Sequence, residues 1–466
     1  MYSRHLLAGV CFAIALSLHP IIAAAGVVFW IVLFPGMAWP KQMAAAAGVF
    51  GLALGALAGT HIPLFAHFDA AWLNILQSRL VYLFPLRWSA GEWANTAVHA
   101  AVLGVGVGIS SNDLMRRLCI AGLVTAAIGM LFAIVGCDLL HVVIVGQMQT
   151  WRWLWLLGVL AAVLAPAIAI DCWKAGDLGR TAAVLLLSAW LTRNDNYAFL
   201  PAVLACGAAA VSSVLRDHRL ARLVLVGSLA FLVGGLLITA GEVRNSLHAL
   251  DAVRAGHRPY LVRISEVQAL AYGGLLPTIA LALTAWAVHR VTRRGAMLLA
   301  GLGFILLLSL LPYSLQTWRY AMYPESRYAA FAPWREAIPA GAEVLWPDPP
   351  QPLWFEVGRA SFWSLYQMAG LVFSRDLTMT STARETALEK VLPGLGRTAK
   401  SHEDDDGESA SPEAQARIRG PCSVHGVDFY ASWAHLGPTP YPPVAPDVED
   451  PRARLYLYRC SDDRRG

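Results

Sequence analysis

The chain has 466 residues, of which 57% are hydrophobic and only 14% charged, with 17 tryptophans and a formal charge of +5. A water-soluble domain carries about a quarter charged residues, so this composition excludes an ordinary soluble globular protein. The charge is split: 20 Lys and Arg against 11 Asp and Glu up to Leu315, then 16 against 20. The basic residues are spread over short loops and not gathered in a patch, so nothing points to nucleic acid as a partner.

In chain order, apolar runs long enough to cross a bilayer are predicted near 6–19, 20–40, 43–59, 94–111, 119–140, 153–173, 181–192, 196–215, 223–243, 266–289 and 296–315. The expected fold is an all-α polytopic membrane bundle of about eleven transmembrane helices over 1–315, followed by a small α/β extracytoplasmic domain over 316–466. His19-Pro20 interrupts the first long run, because proline disfavours helix in the residue before it. Residues 1–25 carry Arg4, an apolar stretch and Ala23-Ala24-Ala25, and read as an uncleaved signal anchor. Gly51, Gly55 and Gly59 recur every four residues, and Gly104, Gly106 and Gly108 lie inside an apolar run. Both sets read as packing glycines.

Alternate loops carry Lys41, Arg116-Arg117, Lys174 with Arg180, Arg216 with Arg219 and Arg222, and Arg290 with Arg293-Arg294. Short basic loops belong on the cytoplasmic side. The N-terminus is therefore expected in the cytoplasm and the C-terminal domain outside an inner (plasma) membrane. The 244–265 loop, expected outside, nonetheless holds Arg244, Arg254, Arg258 and Arg263. An interfacial helix meeting lipid phosphates would account for it.

Two outer stretches are longer than connection requires. In 60–93, a helix over 70–84 projects Trp72, Ile75, Leu76, Leu80 and Leu83 onto one arc and Asn74, Gln77 and Ser78 onto the other, predicting a helix in the membrane interface. Arg79 falls on the apolar arc, where it would need a carboxylate or a lipid phosphate, or would snorkel to the surface. Asp69, directly before that helix, reads either as its N-cap or as a catalytic base. His61 and His67 are nearby, and carboxylate plus histidine could hold a divalent cation, although the spacing matches no metal motif. In 137–155, Asp138 and His141 are three residues apart, which predicts a shared helix face with acid–base capacity. Trp151, Trp153 and Trp155 read as an aromatic belt, with Arg152 among them either snorkelling or holding a phosphate.

In the C-terminal region, 343–346, 427–430 and 455–458 read as strands, 360–392 as largely helical, and 400–416 as a disordered acidic insertion. The aromatic segment 361–375 could rest on a membrane surface. Cys11, Cys119, Cys137, Cys172 and Cys206 lie in or beside apolar runs, where a thiol behaves as a small hydrophobe. Cys422 and Cys460 lie apart from any metal-like spacing, and a disulfide between them is expected, which requires an oxidising compartment.

The outward-facing loops, the interfacial helix after Asp69 and the extracytoplasmic C-terminal domain together resemble the GT-C superfamily of integral-membrane glycosyltransferases, and the segments FDAAWLNILQSRLVYLFPLRW and QMQTWRWLWL are similar to stretches that recur in bacterial membrane proteins. The resemblance implies transfer of a sugar from a polyprenyl-phosphate donor to an outer-face acceptor in cell-envelope glycan assembly. The partners it implies are the membrane lipid and the lipid-linked sugar. It also implies an acidic base, here Asp69, and arginines on the phosphate, here Arg79, Arg152 and Arg258, beside the acid–base candidates Asp138 and His141 that their spacing singles out. In that superfamily the acidic residue follows the first span. Here that connection is His19-Pro20, so either Asp69 serves from a shifted position or an N-terminal span and loop are missing. A polysaccharide polymerase or ligase would use the same donor. A transporter would show internal repeats and mid-membrane charges, which this chain does not display. A non-catalytic scaffold has no distinguishing sequence feature.

Overall fold

The computed structural model describes residues 15, 20–33, 66–212, 219–255, 325–346, 350, 352–392, 418–432, 435–444 and 454–460. These fall into two compact units, dividing after Ala249, within the last turns of the helix Arg219–Ala255.

The first unit is helical. It contains α1 (Pro20–Leu33), α2 (Ala70–Arg79), α3 (Ala90–Ile109), α4 (Asp113–Ala133), α5 (Val143–Met148), α6 (Leu154–Lys174), α7 (Asp177–Leu191), α8 (Phe199–Val211) and α9 (Arg219–Ala255). Ser89 opens α3 with a capping box: its hydroxyl accepts from the Glu92 N–H while the Glu92 carboxylate accepts from the Ser89 N–H. Asn112 caps α4 by a simple N-cap, its side-chain oxygen accepting from the Leu114 and Met115 N–H groups. The core is built of small and branched side chains from α3, α4, α6, α7 and α8, among them Val98, Val102, Leu103, Leu157, Ile168, Leu185 and Ala202. Gly106 supports this closeness, since a Cβ there would come within 2.8 Å of both Cys119 Sγ and Ile168 Cδ1. Gly108 meets nothing, so of the predicted trio only Gly106 is needed for close packing.

Three helical stretches are long and apolar enough to cross a membrane: Asp113–Leu139, Val143–Lys174 and Ala221–Glu242. Their outer surfaces are apolar too: Leu131, Phe132, Trp155, Val163, Leu223, Val226 and Leu237 are exposed. Helices that are apolar all round suit a lipid environment. The expected count of about eleven spans is not supported among the described residues. The predicted 181–192 and 196–215 spans become short helices, α7 with 15 residues and α8 with 13. The 94–111 span begins four residues earlier, at Ala90, with a polar first turn. The predicted spans 43–59, 266–289 and 296–315, and the glycine row at 51–59, lie outside the described residues, as does nearly all of 6–19. No break separates the 223–243 span from the following loop, because α9 continues to Ala255.

The second unit holds α10 (Glu325–Ala330), α11 (Ala332–Ala337), α12 (Arg375–Val391) and a four-stranded sheet. The strands are β1 (Glu343–Leu345), β2 (Ala360–Ser361), β3 (Phe429–Ser432) and β4 (Tyr456–Arg459), in the order β2-β1-β3-β4. β1 runs parallel to β2 and β3, and β4 returns antiparallel to β3. The three predicted strands are present; β2, only two residues long, carries no periodic signal and was not anticipated. Residues 360–392 are largely helical as expected, with a 3-10 stretch Leu365–Phe373 leading into α12. Phe331, Trp334, Val344, Trp346, Phe429 and Leu457 fill the core. Cys422 and Cys460 form the expected disulfide, Cα atoms 4.7 Å apart, which ties the end of β4 to the turn before β3. The 400–416 insertion lies outside the described residues.

Candidate functional site

Asp69 is the N-cap of α2: its Oδ1 accepts from the N–H groups of Ala71 and Trp72, each at 3.2 Å. The helix is shorter than predicted. It ends at Arg79 because Leu80 leaves helical geometry, and two 3-10 turns, Val81–Leu83 and Pro85–Arg87, carry the chain to α3. The apolar arc is buried as projected, with Trp72, Leu76, Leu80 and Leu83 inside and Asn74 and Ser78 outside. Arg79 departs from the projection. It is the last helical residue and is exposed, so its long side chain escapes the apolar side on which its Cα was placed. Asp69 and Arg79 therefore stand at opposite ends of a ten-residue helix.

The second outer stretch also differs. After α4 the chain widens into a π turn, Ile134–Leu139, and the helix stops. His141 takes a left-handed backbone conformation, φ 54°. Asp138 and His141 thus do not share a helix face: the π turn changes the residue spacing, and His141 has left the helix. Gln149, at φ 47°, makes the next sharp turn, before the 3-10 turn Thr150–Trp153.

These two stretches, more than fifty residues apart, are joined. His67 pairs with Val142 in an antiparallel bridge, held by Phe68 N–H to the His141 carbonyl at 2.9 Å and Val143 N–H to the Ala66 carbonyl at 2.8 Å. Further along, the Asp138 carboxylate accepts from the Leu86 N–H at 3.3 Å, and the charges of Arg87 and His141 act on it. Arg87 in turn donates to Gln77 Oε1 at 2.6 Å. An aromatic cluster closes the junction: Tyr82 and Trp88 lie 5.6 and 6.0 Å from the Trp151 ring, and the Trp88 indole donates to the Tyr82 carbonyl. Arg152 is exposed, stacked on Trp151 with its guanidinium carbon 5.2 Å from the ring centre, and its Nε donates to Gln149 Oε1. Burial pushes the Tyr82 hydroxyl above its ordinary pKa, and the positive charge of Arg152 partly opposes that rise.

The tryptophans do not form a simple belt. Trp153 is buried, Trp151 is half-buried in the aromatic cluster, and Trp155 alone of the three is exposed. Two buried polar atoms at the junction, Trp151 Nε1 and Thr150 Oγ1, meet no hydrogen-bond partner among the described residues.

The structure therefore brings Asp138, His141, Arg152, Arg87 and Tyr82 to one junction, with Asp69 capping α2 beside the His67–Val142 bridge and Arg79 ending α2 two residues after Gln77, to which Arg87 donates. Arg87 escaped the sequence reading because it follows Pro85 in irregular backbone, where no periodicity assigns a side chain to a face. Arg258 and His61 lie outside the described residues. Among the described residues, no group of three or more His, Cys, Asp or Glu is arranged to hold a metal ion. Comparison with protein-family models, curated proteins and solved structures finds no match, so the site's chemistry must be argued from its own residues.

Proposed function

We propose that the junction of the 66–88 and 134–153 segments is the reaction centre of an integral-membrane glycosyltransferase that takes its sugar from a polyprenyl-phosphate donor. The supporting observation is the meeting of a carboxylate, Asp138, with the charge of Arg87 beside it and Arg152 on the same aromatic cluster. In this reading an acceptor hydroxyl attacks the anomeric carbon of the sugar and its proton passes to the carboxylate. The bond from that carbon to the phosphate oxygen breaks, and the lipid phosphate leaves with the electron pair, neutralised by the two arginines. Asp138 replaces Asp69 as the preferred base, because Asp69 spends Oδ1 on two backbone donors as a cap.

The same reading carries the finer topology. About eleven spans would place the junction and the C-terminal unit on the outer face of an inner membrane, with the basic loops at Arg116-Arg117, Lys174 and Arg222 inside. Membrane lipid and a lipid-linked sugar are the partners.

The test is transfer of a radiolabelled polyprenyl-phosphate sugar by the full chain in proteoliposomes. Asp138→Asn can still accept from Leu86 but not take a proton, so it should lower the rate by about 10²- to 10⁴-fold without loss of folded protein. Asp69→Asn, which still caps, should transfer at the wild-type rate. Unchanged transfer in Asp138→Asn would sink the assignment.

A further inference from the structure

At one edge of the helical unit, three helix ends are tied together by charge. The apolar stretch Val143–Lys174 ends at Lys174 on α6, and the apolar stretch Ala221–Glu242 begins beside Arg222 on α9. Between them in the chain, α7 starts at Asp177. The turn from α6 into α7 is tight: Gly176 takes φ 91°, and a Cβ on Gly179 would lie 2.2 Å from the Cys172 carbonyl oxygen. Asp177 Oδ1 accepts from Arg180 Nη1 at 3.0 Å, and its Oδ2 lies 3.8 Å from Arg222 Nε. The Arg180 guanidinium also lies over the Trp173 ring, 5.7 Å from its centre. Two helices able to cross a membrane thus meet one edge at the same level, with Trp173, Arg180, Asp177 and Arg222 linked in series and Lys174 next to Trp173 in the chain.

This cluster keeps an excess of positive charge. Two arginines share the Asp177 carboxylate, and the approach of Arg222 at 3.8 Å is too long for a hydrogen bond. The Arg222 side chain is 83% exposed, and Lys174 and Trp173 are exposed as well. Among the described residues, Asp177 and Asp171, one turn before Lys174, are outnumbered by Lys174, Arg180, Arg222 and the Arg219 that opens α9. Just past Arg222 the surface turns apolar, with Leu223, Val224 and Val226 exposed on α9. A free anion such as phosphate matches the charge and leaves that apolar surface bare. An anionic headgroup carrying acyl chains matches both, since arginine donors pair with phosphate oxygens and apolar helix faces suit lipid tails. Trp173, at the end of its span, stands at the level where tryptophans meet lipid headgroups.

We infer that Lys174, Arg180 and Arg222, with Trp173 beside them, form a binding site for the headgroup of an anionic phospholipid of the surrounding bilayer. Asp177 holds the two arginines in place. The inference rests on the membrane-crossing helices and not on sugar transfer, so either can fail without the other.

The test uses the full chain in a non-ionic detergent, with thermal unfolding followed against rising phosphatidylglycerol, phosphatidylcholine or sodium phosphate. A ligand bound to the folded form raises the unfolding temperature by mass action. Phosphatidylglycerol should do so saturably, and phosphatidylcholine and phosphate should not. Arg222→Gln and Lys174→Gln should each weaken the apparent affinity for phosphatidylglycerol about fivefold. Arg116→Gln removes one exposed cation from a different basic loop and should bind as wild type does. An equal loss in Arg116→Gln would reveal a diffuse attraction of basic loops for anionic lipid and overturn the site. No rise with phosphatidylglycerol overturns it too, as does an equal rise with phosphatidylcholine or with phosphate. Arg222 and Lys174 are exposed, so both variants should fold; if one does not, the other is read alone against the same control.

Discussion

Single side chains set two conditions in the C-terminal unit that can be measured. The Tyr458 hydroxyl is buried and accepts the Leu436 N–H at 2.7 Å. Burial pushes its pKa from the ordinary 10 up to about 12, with Tyr456 and Tyr430 adding to the rise and the Leu436 bond opposing it. Because the folded value lies above the unfolded one, the neutral phenol contributes stability that is fully present below pH 10 and is lost as pH climbs through about 12. Circular dichroism titration should show this unit weakening over that window, and Tyr458→Phe should flatten the dependence there while costing stability at neutral pH through the unpaired Leu436 N–H. A variant that keeps the wild-type alkaline profile would assign the transition to another group. Arg384 shows a different use of a single side chain: it pairs with Glu343 at 2.8 Å, donates to the Phe362 carbonyl and covers the Phe362 ring, so one cation links α12, β1 and the loop after β2.

At the scale of elements, the junction of the 66–88 and 134–153 segments depends on how closely α4 approaches the turn before α6. A Cβ on Gly129 would lie 2.7 Å from the Thr150 carbonyl and 2.8 Å from Trp153 Cβ, both firmly placed atoms. Gly129→Ala should therefore force the two segments apart at a cost of about 1–3 kcal/mol, seen as a lower unfolding temperature. Gly108→Ala, where nothing is near, serves as the silent control. Gly136 is tighter still, against the branched Val145 side chain, and it sits in the π turn that carries Asp138. The helix after Asp69 was legible because its apolar positions recur at helical spacing. Its early end was not, since the backbone change at Leu80 answers to the packing of Leu80, Leu83 and Phe84 in the core and not to a local breaker.

For the whole molecule, the membrane part and the C-terminal unit are stabilised by different means. Helices with apolar outer surfaces satisfy every internal backbone bond within themselves and suit lipid. The C-terminal unit has a small aromatic core and a short sheet, and the Cys422–Cys460 bond closes a separation of 38 residues. Chain-entropy reasoning gives such a closure about 4 kcal/mol. Reduction should thus lower the denaturant midpoint of this unit and leave the unfolding of the helical unit unchanged. Thiol labelling of the native protein should find Cys422 and Cys460 unreactive before reduction; reactive thiols at both positions would contradict the bond.

By itself the sequence determined what depends on composition and period. Apolar runs near 119–140, 153–173 and 223–243 marked the helices that the structure extends to Asp113–Leu139, Val143–Lys174 and Ala221–Glu242, β-branched and aromatic residues marked β1, β3 and β4, and the separation of Cys422 and Cys460 from the other cysteines marked their pairing. It also singled out Asp69, Asp138, His141 and Arg152, since charged residues at the ends of apolar helices are conspicuous. Only the tertiary structure decided that the two outer stretches share one junction and that Arg87 belongs to it. Those are contacts between segments more than fifty residues apart. They are set by helix packing and by irregular backbone at Leu80, His141 and Gln149, and neither leaves a periodic trace along the chain.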